Sequence, residues 1–190
     1  METNPKSRKC DFGQVHLWSI QLDCAASSVA RLELALSSEE RYRAARFRSH
    51  ELRNRWTVAR GALRHIRAEY SRSTASSLAF HLGPNGKPEL ARSAANINFN
   101  LSQTHGLALL AITRNRRVGI DAEAVQPEIE VEALSRRFFT RSETAEILGL
   151  ANGSRIAAFF ACWTRKESSS KLSSRLRKKG RRDLDSLQSP

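Results

Sequence analysis

Asp121-Ala122-Glu123 closes the apolar run Val118-Gly-Ile120, and two carboxylates spaced by two on a strand project to one face. Such a pair can reach a single hard cation. Trp163-Thr-Arg-Lys166-Glu167-Ser-Ser-Ser-Lys171 sets Glu167 and Lys171 four apart, on one helix face. Asn98-Phe-Asn-Leu-Ser102-Gln-Thr-His105-Gly106 runs a strand into a polar turn whose hydroxyls and imidazole could hold phosphate oxygens. Lys87, just past a Pro-Asn-Gly turn, could bring an ammonium to a phosphate, and Glu143 is an acid at a helix start. Taken singly, each has a plainer reading: a solvated strand end, a surface ion pair, a satisfied turn, an idle lysine and an N3 cap.

The elements that must position these groups read as a mixture of strands and helices. Val15 to Leu22 alternates apolar and polar residues, which predicts a half-buried strand. Ser37 with Glu40 forms a capping box ahead of an arginine-rich amphipathic stretch, 41–70, in which Phe47, Trp56, Leu63 and Ile66 face a core while the arginines fan outward. Short strands are predicted over 78–82, 97–101, 107–113 and 118–123. Thr140 and Glu143 repeat the capping pattern before a helix at 145–150, and a longer helix covers 155–171. Short turns between antiparallel-looking strands predict an α+β fold.

The chain has 190 residues and carries 32 Lys and Arg against 19 Asp and Glu, a net charge of +13. That field favours polyanions or acidic proteins as partners. Cys10, Cys24 and Cys162 share no metal-ligand spacing and are odd in number, which argues against a disulfide framework or zinc ribbon and for a reducing, cytoplasmic setting. No apolar run approaches a membrane span, and the N-terminus lacks a secretory pattern. Arginine richness alone also fits a nucleic-acid-binding protein, but no zinc finger, basic zipper or aromatic stacking platform accompanies it.

In order, Gly86-Lys87-Pro88, Phe99-Asn-Leu-Ser102, Val118-Gly-Ile-Asp121-Ala-Glu123, Arg136-Arg-Phe-Phe-Thr-Arg-Ser-Glu143 and Trp163-Thr-Arg-Lys166-Glu167 with Lys171 resemble the surfactin-type 4′-phosphopantetheinyl transferases. Leu36-Ser-Ser-Glu-Glu-Arg41 and Arg43-x-x-Arg46-Phe47 extend the likeness into the first half. The resemblance implies transfer of the phosphopantetheine arm of coenzyme A to a serine of an apo acyl or peptidyl carrier protein, with release of 3′,5′-ADP. It also implies Mg²⁺, with Mn²⁺ as an alternative, on Asp121, Glu123 and Glu167. By the same likeness Lys171 serves the leaving phosphate, Glu143 helps activate the carrier serine, and His50, Arg55, Lys87, Ser102, His105 and Lys166 contact coenzyme A. The implied fold is two similar lobes related by pseudo-twofold symmetry with coenzyme A in the cleft, acting as a monomer on an acidic carrier. The expected divisions are an N-terminal lobe at 1–104, a C-terminal lobe at 105–171 and a basic tail at 172–190.

Two departures stand out. Gln103 occupies the place of the family's usual His after the motif serine, so a charge is lost there unless His105 substitutes. Beyond Ser168 the Ser- and Arg-rich tail lacks the expected Gly-rich turn and strands. A frameshift or truncation would produce that pattern, leaving the second lobe incomplete and the relative catalytically impaired.

Overall fold

A computed structural model of the chain describes residues 8–71, 73–82, 88–90 and 96–172. The chain divides into two compact units, Met1–Val118 and Gly119–Pro190. The first runs β1 (Val15–Gln21), α1 (Ala26–Glu33), α2 (Ser38–Ala45), α3 (His50–Ala68), β2 (Phe80–Leu82), β3 (Pro88–Leu90), β4 (Ile97–Thr104) and β5 (Leu107–Arg114). The second holds α4 (Val131–Phe138), α5 (Arg141–Gly149) and α6 (Asn152–Leu172). Helices and strands thus mix in an α+β arrangement.

In the first unit β5, apolar at nearly every position, lies between β1 and β4 in a three-stranded antiparallel sheet. Its near-continuous Leu107-Ala-Leu-Leu-Ala-Ile112 run suits a central strand. Ala108, Leu110 and Ile112 join Ile20, Val58, Leu63 and Ile66 in one core, so α3 covers this sheet face. β2 and β3 form a separate antiparallel pair. At Gly61 the helices α1 and α3 meet backbone to backbone, since a Cβ there would lie 2.7 Å from the Leu32 carbonyl oxygen. β1 is one of the sheet's two outer strands, and Val15 and Leu17 on the face away from α3 are 60% and 63% exposed.

The stretch predicted as helical over 41–70 is two helices. Ser37 and Glu40 cap α2 reciprocally, and the Ser49 hydroxyl accepts from the Leu52 N–H to open α3. The arginines of α3 do not all fan outward, which corrects the amphipathic reading. Arg64 is 2% exposed: it donates to Glu40 at 2.6 Å and to the carbonyls of Ala75 and Leu78 at 2.9 Å. Arg60 reaches the other Glu40 oxygen at 2.6 Å. Burial alone would raise the Glu40 pKa, but Arg60, the Ser37 N–H and Arg64 outweigh it and hold the carboxyl below its ordinary value. Arg67 is equally buried, with its guanidinium 5.4 Å from the Phe99 ring and no hydrogen-bond partner for Nε or Nη1 among the described residues. Burial pushes its pKa down to about 10.

In the second unit residues 119–126 form no strand, contrary to the one predicted over 118–123. The Ile120 carbonyl accepts from the Lys171 ammonium at 2.9 Å. Helix α4 has no counterpart in the sequence reading, although Val131, Leu134 and Phe138 recur at helical spacing. The Thr140–Glu143 capping box starts α5 at Arg141, four residues before the predicted start. Leu134, Phe139, Ile147, Phe159, Phe160 and Trp163 make the core of this unit. The boundary expected at 104/105 falls in the turn between β4 and β5, inside the first unit, and residues 173–190 of the expected tail lie outside the described residues. No helix among the described residues is long and apolar enough to cross a membrane.

Candidate active site

Helix α6 carries most of the chemically capable side chains of the second unit, and its rotation is fixed by Trp163. That ring stacks on Phe159 with 19° between planes and meets Phe138 edge-on, so the helix buries this face. Three residues on, Lys166 reaches Glu143 at 2.9 Å; eight residues on, Lys171 reaches Asp121 at 2.6 Å. Gly119 makes the second contact sterically feasible. A methyl there would overlap the Ser168 carbonyl oxygen and press on Leu172, so the last turns of α6 rest directly on the backbone before Asp121.

The Asp121–Lys171 pair is nearly dry, with side chains 2% and 12% exposed. At Glu143 the Lys166 ammonium first, then the Thr140 N–H and hydroxyl, hold the carboxyl down to about 2. It is therefore ionised at neutral pH and weakly basic. Glu143, Ile147, Cys162 and Lys166 help line an open groove of about 720 Å³ between α5 and α6. Burial and then the Glu143 charge push the Cys162 thiol up, which keeps it protonated and unreactive.

The first unit holds the groups expected to meet coenzyme A. Arg55 on α3 forks onto Asp23, Nε to Oδ1 at 2.7 Å and Nη2 to Oδ2 at 2.9 Å, and also pairs with Glu51 one turn earlier. Gly106 leaves room for that fork, because a Cβ would overlap the Asp23 carboxylate. Ser102 is 3% exposed on β4, while Gln103 is exposed and His105 sits in a left-handed turn with φ 41°. The Thr104 hydroxyl lies 3.3 Å from His105 Nδ1. His50 is the exposed first residue of α3. Lys87 lies outside the described residues. Asp23 and Glu51 were absent from the sequence reading. The i,i+4 spacing of Glu51 and Arg55 could have found the second, whereas nothing local ties Asp23 to Arg55.

For a divalent cation the donor types of Asp121, Glu123 and Glu167 are right, since all are hard oxygens. Their arrangement does not fit one. Among the described residues no three His, Cys, Asp or Glu side chains gather closely enough to hold a metal, and one Asp121 oxygen is taken by Lys171.

Residues 117–189 match the sequence model of the 4′-phosphopantetheinyl transferase superfamily, a span that covers nearly all of the second unit. Over 157 residues, 82% of this chain and 66% of the relative, the sequence is 38% identical to the 4′-phosphopantetheinyl transferase HetI of Nostoc sp.. The chain belongs to the 4′-phosphopantetheinyl transferase superfamily. It is also 31% identical to the 4′-phosphopantetheinyl transferase psf-1 of Bacillus pumilus over 148 residues, 78% of the chain and 62% of that protein. With the 4′-phosphopantetheinyl transferase AcpT of Salmonella typhimurium it shares 33% identity over 86 residues, 45% of the chain and 44% of the relative. The chain thus spans less than two thirds of the length of each of these transferases. The superfamily match runs to residue 189, through the tail that the sequence reading set apart as off-pattern.

Proposed function

We propose that this chain is a surfactin-type 4′-phosphopantetheinyl transferase that moves the phosphopantetheine arm of coenzyme A to a serine of an apo carrier protein. The serine oxygen bonds to the phosphorus that bears the pantetheine, that phosphorus parts from the bridging oxygen, and 3′,5′-ADP leaves with the electron pair. The observation that carries the reading is the pairing of Lys171 with Asp121. It joins the Gly-Ile-Asp-x-Glu element to the Trp-x-x-Lys-Glu helix within the unit that matches the superfamily.

Such a transfer builds negative charge on the departing oxygen and leaves a weak nucleophile to be oriented. Lys171 would neutralise the leaving phosphate. Glu143 would accept a hydrogen bond from the serine hydroxyl, and it becomes the stronger base once Lys166 turns away. Arg55, His50, Ser102 and His105, with Lys87 and Lys166, are the groups proposed to hold coenzyme A, the arginine fork suiting a phosphate once Asp23 yields it. Asp121, Glu123 and Glu167 are the carboxylates proposed for a divalent ion, Mg²⁺ before Mn²⁺, and they must draw together to hold it. The partner is proposed to be an acidic carrier domain, met by a cytoplasmic monomer with a net charge of +13.

The deciding assay transfers a fluorescent coenzyme A analogue to an acidic apo-carrier protein. Labelling is expected, and Glu167→Ala should abolish it; labelling that survives this substitution removes Glu167 from the chemistry. Gln103→His is expected to lower the apparent KM for coenzyme A, and a KM that stays or rises refutes a coenzyme contact there. A second reading, a relative that binds without transferring, is favoured by the ungathered carboxylates. A folded protein that binds coenzyme A and labels no carrier would establish it.

A further inference from the structure

We infer that Asp23 is a positioning residue for His105: gripped by Arg55, it holds the turn between β4 and β5 in the form that lets the imidazole meet an anionic group of coenzyme A. This rests on the transferase reading for the ligand and on the geometry for the turn. Thr104 pairs with Leu107 across the hairpin, so His105 and Gly106 are its two central residues. A two-residue hairpin in which only the first central residue is left-handed ordinarily places glycine there. Here that residue is His105, with φ 41°, while Gly106 stands second and is not left-handed. His105 therefore carries the strained backbone, and the glycine beside it is needed for something other than its φ.

Gly106 makes room for Asp23. A Cβ there would overlap the Asp23 carboxylate, so only a bare backbone lets that carboxylate lie against the turn. The Leu22 N–H donates to the Gly106 carbonyl at 2.8 Å, which ties the turn to the chain directly before Asp23. Arg55 Nε and Nη2 then grip Asp23 at 2.7 and 2.9 Å, anchoring the carboxylate to α3. Helix, carboxylate and turn thus form one stack, which keeps the His105 backbone in the left-handed region it would otherwise leave. Because the grip has two arms, Arg55 can yield Nη2 to a phosphate while Nε still holds Asp23 on the turn.

Asp23→Ala in the full chain tests this, read by NMR at His105 and by calorimetric titration with coenzyme A. Wild type should show at His105 the strong N–H to Hα cross-peak of a left-handed residue, and the variant should lose it. Coenzyme A affinity should fall about tenfold, the scale of one hydrogen bond to a charged group. In a His105→Ala background, Asp23→Ala should change the affinity no further, since Asp23 acts through that imidazole. A cross-peak that survives Asp23→Ala overturns the inference, and so does a full second loss in the His105→Ala background. An affinity that stays or rises also overturns it, the rise making Asp23 a competitor for Arg55. Should Asp23→Ala fail to melt cooperatively, Gly106→Ala takes its place, because its methyl displaces the same carboxylate; an unmoved cross-peak or unchanged affinity there overturns the inference. Carrier labelling by the wild-type preparation separates the two readings. Labelling with an unmoved turn removes the positioning role and keeps the transferase, whereas a turn and an affinity that move together without labelling do the opposite.

Discussion

Glu143 shows how one residue can satisfy a structural and a chemical reading at once. It caps α5 through Thr140 and pairs with Lys166, and together these hold its pKa down to about 2. The sequence showed the cap, since Thr140 and Glu143 stand three apart. It could not show Lys166, which lies on another helix and meets Glu143 only after both have folded around Trp163. Replacing Lys166 by Met removes the charge that most favours the ionised form, so the Glu143 pKa should rise toward the ordinary carboxyl value near ~4.3. Side-chain carbon NMR against pH would follow it; a value still near 2 would give the whole effect to Thr140. Arg55 teaches the same lesson, because its spacing to Glu51 is local while its fork to Asp23 depends on a turn that admits only Gly106.

Among the elements, α3 departs furthest from its sequence pattern. Ten arginines between 41 and 72 read as a solvated face, yet Arg60 and Arg64 converge on the one buried Glu40. A helix-period argument counts charged residues as outward and has no means of foreseeing a carboxylate brought in from α2. Glu40→Gln should take the shared carboxylate from both guanidiniums and cost about 3 to 5 kcal/mol, read from urea unfolding, and a loss well below that would mean that the Ala75 and Leu78 carbonyls and the Phe80 ring, 5.2 Å from the Arg64 guanidinium, suffice for Arg64. The pH dependence has a definite sign. Glu40 is held below its unfolded pKa, so its contribution is fully present above about pH 4.3 and is lost as pH falls through the lower folded value. The missing strand at 118–123 has a similar origin. Its apolar alternation was legible, but the chain gives the Ile120 carbonyl to a lysine fifty-one residues away.

For the whole molecule, the α+β class and most element positions were legible because strands and the long α6 keep clear periods and caps. The pairing of Asp121 with Lys171 was not, since spacing along a chain fixes which face a side chain takes and leaves open which neighbour reaches it first. A net charge of +13 also makes a prediction at this scale: the KM for an acidic carrier should climb steeply with ionic strength while kcat changes little. A KM indifferent to salt would place docking on apolar contacts instead. The outer strand β1 gives that experiment a second face. Its far edge has no partner strand among the described residues, and beside it Val15 and Leu17 expose apolar side chains on the sheet face turned away from α3. Mutual repulsion between molecules of net charge +13 opposes the pairing of two such edges, and added salt shortens its reach. The ionic strength that weakens carrier docking is thus also the condition under which the protein would begin to self-assemble and sediment as larger species.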